Sequence, residues 1–163
     1  MTPEEFDAFY SASVRRLVAQ VYSMTGDFAE AQDAVQEAFV RAWDHRRRLS
    51  TAEHPEAWVR TVAYRLTVSR WRKARSSAAA WRRHGEPDPV PAPDVTNLAL
   101  IAALRQIPEA QRRAIVLHHL CDLSVEQVAH EIGAPVGTVK ARLSRGRAAL
   151  AHLMTDPAEA SHA

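Results

Sequence analysis

The sequence predicts an all-α chain: two small helical domains joined by an extended linker, the second containing a helix-turn-helix. Three observations predict it. Apolar residues recur at i, i+3, i+4 and i+7 through the long segments, which is the helical period. That period fails from Ser76 to Thr96, where SSAAAWRRHGEPDPVPAPDVT carries four prolines and a glycine, a composition that stays extended. Beyond it, SVEQVAHEIGAPVGTVKARLSRGRAAL, Ser124 to Leu150, reads as two helices around a tight turn.

Taken in order, residues 4–24 form an amphipathic helix with Phe6, Phe9 or Tyr10, Val14, Leu17, Val18 and Val21 inward. Gly26-Asp27 ends it, and Asp27 caps the next helix. That second helix, residues 28–45, buries Ala31, Val35, Ala38, Phe39, Ala42 and Trp43. Glu30, Asp33 and Glu37 line another side as an acidic strip, either a solvated face or a docking surface for a basic partner. Arg46, Arg47 and Arg48 follow, then a polar loop from Leu49 to His54. Pro55 opens a third helix running to about Arg75, with Val59, Val62, Ala63 and Leu66 as its core stripe. The opposite side presents Thr61, Tyr64, Arg65, Val68, Trp71 and Arg72. Aromatic rings on a basic face stack on unpaired bases while guanidinium groups hold phosphates; the other reading packs Tyr64 and Trp71 on a neighbouring helix. Trp58 sits at the edge of the core stripe.

After the linker, Thr96 or Asn97 caps a fourth helix with Leu98, Ile101, Leu104 and Ile107 inward. Pro108 opens a fifth, PEAQRRAIVLHHLCD, burying Ile115, Val116 and Leu120. In the segment that follows, Ser124 and Gln127 form a capping box. Val125, Val128, Ala129 and Ile132 make one apolar stripe. Gly133 suits a left-handed helix end and Pro135 a new start. The last helix buries Val136, Val139, Leu143 and Leu150, with Gly146 on the same side. Its outward side carries Thr138, Lys140, Ala141, Arg142, Ser144 and Arg145. Lys140, Arg142, Arg145 and Arg147 face no acidic residue between Ile132 and Met154. A short capped helix, a glycine turn and a basic second helix is a DNA-binding pattern.

The formal charge of the 163 residues is only +2, yet the balance hides two basic surfaces. Ala57 to Gly85 holds eight Arg or Lys and no acid, which suggests a second contact with a polyanion. Lys occurs only at positions 73 and 140, and with abundant Ala this composition accompanies GC-rich genomes. One cysteine, Cys121, excludes an internal disulfide and a Cys-rich zinc site. His118, His119 and Cys121 invite a metal reading, but neighbouring helical residues diverge by about 100° and no second cluster adds ligands. No cofactor is expected. No catalytic triad, phosphate loop or paired carboxylates stand out, so the chain is not read as an enzyme. Its acidic start lacks a hydrophobic signal region, and no apolar run suits a membrane span. The expectation is a soluble, cytoplasmic protein with no membrane insertion.

With both halves read, the chain resembles the sigma-70 family of bacterial RNA polymerase sigma factors, specifically the small extracytoplasmic-function (ECF, group IV) class. Asp33 to Trp43, DAVQEAFVRAW, resembles region 2.2; Pro55 to Arg75 resembles regions 2.3 and 2.4; Ile107 to Leu150, with PVGTVK at 135–140, resembles region 4. The resemblance implies a region 2 domain over residues 1–76, a flexible linker over 77–96, a region 4 domain over 97–155 and a disordered tail over 156–163. It implies that Asp33, Gln36, Glu37 and Val40 contact the β′ clamp helices of core RNA polymerase. Ser50, Thr51 and His54, with Trp58, Thr61, Tyr64, Arg65, Val68, Trp71 and Arg72, would take the −10 element of promoter DNA as it opens. Thr138, Lys140, Ala141, Arg142, Ser144, Arg145 and Arg147 would meet the −35 element, Lys140, Ala141, Ser144 and Arg145 nearest the bases and Arg142 and Arg147 on phosphates. The polymerase β flap and an anti-sigma factor are implied as further partners. Arg65 stands where the family often has Asn, a departure that bears on promoter sequence. The competing readings are a stand-alone helix-turn-helix transcriptional regulator and a helical adaptor that never touches DNA.

Overall fold

The computed structural model describes residues 1–76 and 98–155; the linker, the expected caps Thr96 and Asn97, and the tail from residue 156 lie outside the described residues. The chain divides into two compact units, Met1–Ala92 and Pro93–Ala163. All regular structure among the described residues is helical.

In the first unit α1 spans Pro3–Thr25, α2 Phe28–Asp44, α3 Arg46–Leu49 and α4 Pro55–Ser76. Helix α1 starts at a capping box: Glu5 N–H donates to Thr2 Oγ1 at 3.2 Å and Thr2 N–H to Glu5 Oε2 at 2.7 Å. It stops at Gly26, whose φ of 76° is the left-handed end expected of a glycine. Asp27 then accepts the Glu30 N–H at 3.0 Å and starts α2. The core is Leu17, Val21 and Met24 of α1 against Val35 and the alanines at 31, 34, 38 and 42 of α2, with Val59 and Ala63 of α4. Burying each of the larger aliphatic chains contributes about 1.5–3 kcal/mol. At the open end Phe6, Phe9, Tyr10, Phe39 and Trp43 pack edge to face, with Tyr10 to Phe39 at 4.9 Å and Phe6 to Trp43 at 5.1 Å.

Several expectations need correction here. Trp43 is 36% exposed, because it caps that aromatic cluster from outside instead of entering the core, with the Arg46 guanidinium 4.1 Å from its ring centre. Leu49 is buried as the last residue of α3, so the polar loop begins at Ser50. The buried face of α4 is turned relative to the apolar stripe: Arg60, Tyr64 and Thr67 are buried with Val59 and Ala63, whereas Val62 and Leu66 are half-buried. The cause is polar. Arg60 Nη1 donates to Gln20 Oε1 at 3.1 Å inside the α1–α4 contact, and Thr67 Oγ1 donates to the Tyr64 carbonyl at 2.6 Å. A hydrophobicity pattern cannot register buried groups that are satisfied in pairs.

In the second unit α5 spans Leu98–Arg105, α6 Glu109–Ile115, α7 Val125–Ile132 and α8 Val136–Met154. Helix α6 runs into a π-helical turn, Val116–Leu120, closed by Cys121 N–H on the Val116 carbonyl at 3.0 Å. The extra residue in that turn shifts the inward register. Leu117 is fully buried while Leu120 is 42% exposed, correcting the sequence expectation. Leu98 is likewise exposed at the start of α5. Ser124 and Gln127 make the capping box of α7 (2.8 and 3.1 Å), and Gly133 ends it at φ 69°. Val128 and Ala129 of α7 and Val139, Leu143 and Gly146 of α8 are buried, Val136 and Leu150 half-buried.

Gly146 is where α8 meets α6 backbone to side chain. A Cβ there would lie 2.9 Å from Ile115 Cγ1 and 3.4 Å from Gln111 Cβ. Overpacking a filled contact costs about 1–3 kcal/mol, against a helix-propensity gain of about 1 kcal/mol for Ala over Gly. Gly146→Ala is therefore expected to lower the thermal midpoint of the second unit. Gly137→Ala, with nothing within 4 Å of its Cβ, leaves that midpoint unchanged or raises it; thermal denaturation followed by circular dichroism checks both.

Candidate nucleic-acid and partner-docking faces

Helix α8 offers the best-formed basic face. With Val139, Leu143 and Gly146 buried, Lys140, Ser144, Arg145 and Arg147 are exposed and Thr138, Ala141 and Arg142 half-exposed. The sequence thus places these seven candidates on the outside of the helix, Ala141 and Arg142 at its margins. Arg147 Nε donates to the Leu143 carbonyl at 3.2 Å, which steadies its guanidinium.

In the first unit the candidates divide. Arg65, Trp71 and Arg72 are exposed and Thr61, Val68 and Trp58 half-exposed. Tyr64 is buried, so it belongs to the helix-packing alternative and leaves the outer face. Trp71 does not follow it: it is 57% exposed, with the Arg75 guanidinium 4.7 Å from its ring centre. Trp58 is met by the His45 ring at 5.4 Å. Ser50 Oγ donates to the Arg47 carbonyl at 2.7 Å and Thr51 Oγ1 to the Arg48 carbonyl at 3.0 Å. Those bonds close the end of α3 and hold the loop, while His54 stays exposed.

The acidic strip of α2 is neither simply solvated nor wholly open. Arg70 of α4 reaches across to it, donating from Nη1 to Glu30 Oε1 at 3.0 Å and to Asp33 Oδ2 at 2.9 Å, and from Nη2 to Glu37. Glu37 also accepts from Arg41 at 2.7 Å. The Arg41 hydrogen bond, then the Arg70 charge, overcome partial desolvation and hold the Glu37 carboxyl below its usual range. Burial alone would lower the Arg70 pKa, but Glu30 first, then Asp33 and Glu37, raise it. The adjoining ridge stays open: Asp33, 69% exposed at its side chain, Gln36, and Val40 at 67%. Sequence reasoning missed Arg70 because it saw one more cation in a basic run. Its i, i+3, i+7 acidic counterparts sit on another helix.

Among the described residues no group of three or more His, Cys, Asp or Glu could hold a metal ion. His118 instead donates from Nδ1 to the Leu123 carbonyl at 2.7 Å, and its ring meets that of His119 at 4.8 Å. Burial, then His118 and Arg147, push the His119 pKa down. No helix among the described residues is long and apolar enough to cross a membrane.

Residues 9–77 match the family model described as Sigma-70 region 2, and residues 97–150 that described as Sigma-70, region 4. The chain is 35% identical over 144 residues to a Mycobacterium tuberculosis protein named ECF RNA polymerase sigma factor SigL, spanning 83% of this chain and 81% of the relative. It is 31% identical over 157 residues to the ECF RNA polymerase sigma factor SigW of Bacillus subtilis, again across 83% and 81%. Among solved structures, the sigma factor RpoE of Bartonella quintana, in complex with the anti-sigma factor NepR, matches with a TM-score of 0.77 at 25% identity, covering 93% of this chain and 97% of that one. CnrH, solved with the cytosolic domain of CnrY, shares the fold at a TM-score of 0.64 and 20% identity, over 94% and 89%.

Removing Arg70 leaves Glu30 and Asp33 without their counter-charge and Glu37 with Arg41 alone. Arg70→Ala is expected to destabilise the protein by about 1–2 kcal/mol in urea denaturation at neutral pH, several partly screened pairs acting together. Glu37 is held below its unfolded value of about 4.3, so its contribution is complete above that pH and lost as pH falls through the folded value. The larger cause of that shift is Arg41, which the variant keeps, so only the part of the gap that the Arg70 charge on Glu37 supplies should narrow below about pH 4.

Proposed function

This chain belongs to the sigma-70 family of RNA polymerase sigma factors, in the extracytoplasmic-function class, and from that premise we propose that it binds core RNA polymerase and directs it to promoters by recognising −35 and −10 elements. The observation that carries the reading is the sorting of α8. Val139, Leu143 and Gly146 are buried against the rest of the unit, while Lys140, Arg145 and Arg147 lie exposed and Arg142 at the margin. A helix so built enters the major groove, where Lys140 and Arg145 can address base edges while Arg142 and Arg147 meet phosphates. Ala141 and Ser144 are small, which admits close approach and leaves room for readout by DNA shape.

The outer face of α4 supports the second contact. Trp71 and Trp58 supply stacking surfaces, worth about 1–3 kcal/mol per base, beside Thr61, Arg65, Val68 and Arg72. Ser50, Thr51 and His54 form the rim of a pocket for an extruded base. Such capture offsets the few kcal/mol that unstacking costs, so strand separation needs no nucleotide hydrolysis. On α2, Asp33, Gln36 and Val40 dock on the β′ clamp helices, with Glu37 contributing from behind the Arg70 clamp. Residues 77–96 tether the two units, the β flap receives the second, and an anti-sigma factor, as accompanies the Bartonella relative, covers these faces when the protein is held inactive.

Added to purified core polymerase, the protein is expected to start RNA at defined promoters in reconstituted transcription; a chain acting as a separate regulator would require a complete holoenzyme. Arg142→Ala with Arg147→Ala should weaken promoter binding and reduce the slope of log affinity against log salt by about 0.9 for each phosphate left without its cation, whereas Lys140→Ala with Arg145→Ala should weaken it and relax the preference for the −35 sequence. Asp33→Lys with Val40→Asp should lower affinity for core polymerase without changing the far-ultraviolet spectrum.

A further inference from the structure

The cations of the first unit fall into two groups. Arg16 is paired with Glu56, Arg41 with Glu37, Arg60 with Gln20, and Arg70 with the acidic strip. Arg46 lies over Trp43 and donates to its carbonyl at 2.9 Å, and Arg75 lies over Trp71. Arg47 and Arg48, from the same turn as Arg46, are exposed, and among the described residues neither guanidinium has an ion pair, hydrogen-bond or ring partner. Arg15, Arg65, Arg72 and Lys73 are likewise exposed with no such partner among the described residues, so what singles out Arg47 and Arg48 as a candidate anion site is their place in the fold.

Its position says which anion. The carbonyls of Arg47 and Arg48 are the acceptors for Ser50 and Thr51, so the two cations stand at the root of the loop whose hydroxyls line the candidate base pocket. His45, two residues before Arg47, rests on Trp58. Trp58 is the first residue of the stripe Trp58, Thr61, Arg65 and Arg72, which runs about 21 Å along α4 at 1.5 Å per residue. The short helix therefore sits beside the N-terminal end of that stripe. We infer that Arg47 and Arg48 hold backbone phosphates of the single strand lying along α4, extending the bound stretch past the loop. This site reads no base, since it offers only charge, and it rests on the −10 reading above.

The test uses holoenzyme reconstituted with core polymerase and a fluorescein-labelled single strand carrying the −10 region of a promoter that the holoenzyme transcribes. By anisotropy across a salt series, Arg47→Ala with Arg48→Ala is expected to lower the slope of log affinity against log salt by about 1.4, two phosphates at about 0.7 each on single-stranded DNA. Preference for the native over a substituted −10 base should be unchanged. Arg47→Lys with Arg48→Lys, which keeps the charge, should keep the slope. An unaltered slope in the alanine variant overturns the site while leaving the −10 reading intact. A loss of affinity for core polymerase in its place also overturns it, assigning the pair to an acidic protein surface. Wild-type holoenzyme that ignores the strand overturns the −10 reading and this site together.

Discussion

A single guanidinium joins the two working helices of the first unit. Arg70 belongs to α4, whose outer face is basic and aromatic, and it closes on three carboxylates of α2, whose neighbouring ridge is exposed. Helices that meet mainly through alanines leave little side-chain interdigitation to set their rotation. A charged staple at one end and the Arg60–Gln20 hydrogen bond nearer the other supply that specification. Buried or half-buried ionic contacts are weak sources of net stability but good sources of register. Here register matters, because the angle of α4 about its own axis decides which of its side chains face outward.

The same logic explains why a chain of nearly neutral charge can carry two strongly basic surfaces. Acids and bases are not spread evenly; they cancel internally where helices touch and are left uncancelled where they do not. In the first unit Arg16–Glu56 and Arg70 with its three acids absorb charge where helices touch, and Arg41–Glu37 does so within α2. In α8 no acid is available from Ile132 to Met154, so cancellation within the helix is impossible. Lys140, Arg145 and Arg147 stay exposed, and an uncancelled cationic face is the electrostatic condition for binding a polyanion.

Within the second unit, packing is tightened at a point and loosened at a turn. Gly146 lets α8 approach Ile115 of α6, fixing the base of the helix-turn-helix against the preceding helix. A π-helical turn directly after Ile115 then redirects the chain through Asp122, at φ 54°, toward the capping box of α7. That turn inserts one residue, so side chains after it no longer follow the stripe set before it.

The sequence by itself determined the long helices and several of their termini: Asp27, Gly26, Ser124 with Gln127, and Gly133 act through local hydrogen bonds or backbone sterics that need no distant partner. It also determined the basic outer side of α8, because apolar periodicity and the absence of acids are both local. Tertiary structure alone decided the rest. Tyr64 went inward and Trp71 outward although both lay on one predicted face, since Arg60 and Arg70 found polar partners on α1 and α2 while Thr67 satisfied its hydroxyl within α4. Trp43 capped an aromatic cluster built from α1. Leu117 replaced Leu120 in the core once the π turn had formed. The acidic strip acquired its cation from a helix far along the chain, with 40 positions between Glu30 and Arg70. Apart from the π turn, which closes on its own backbone, each of these depends on pairings across helices, and pairing energy between distant residues leaves no periodic mark on a linear sequence.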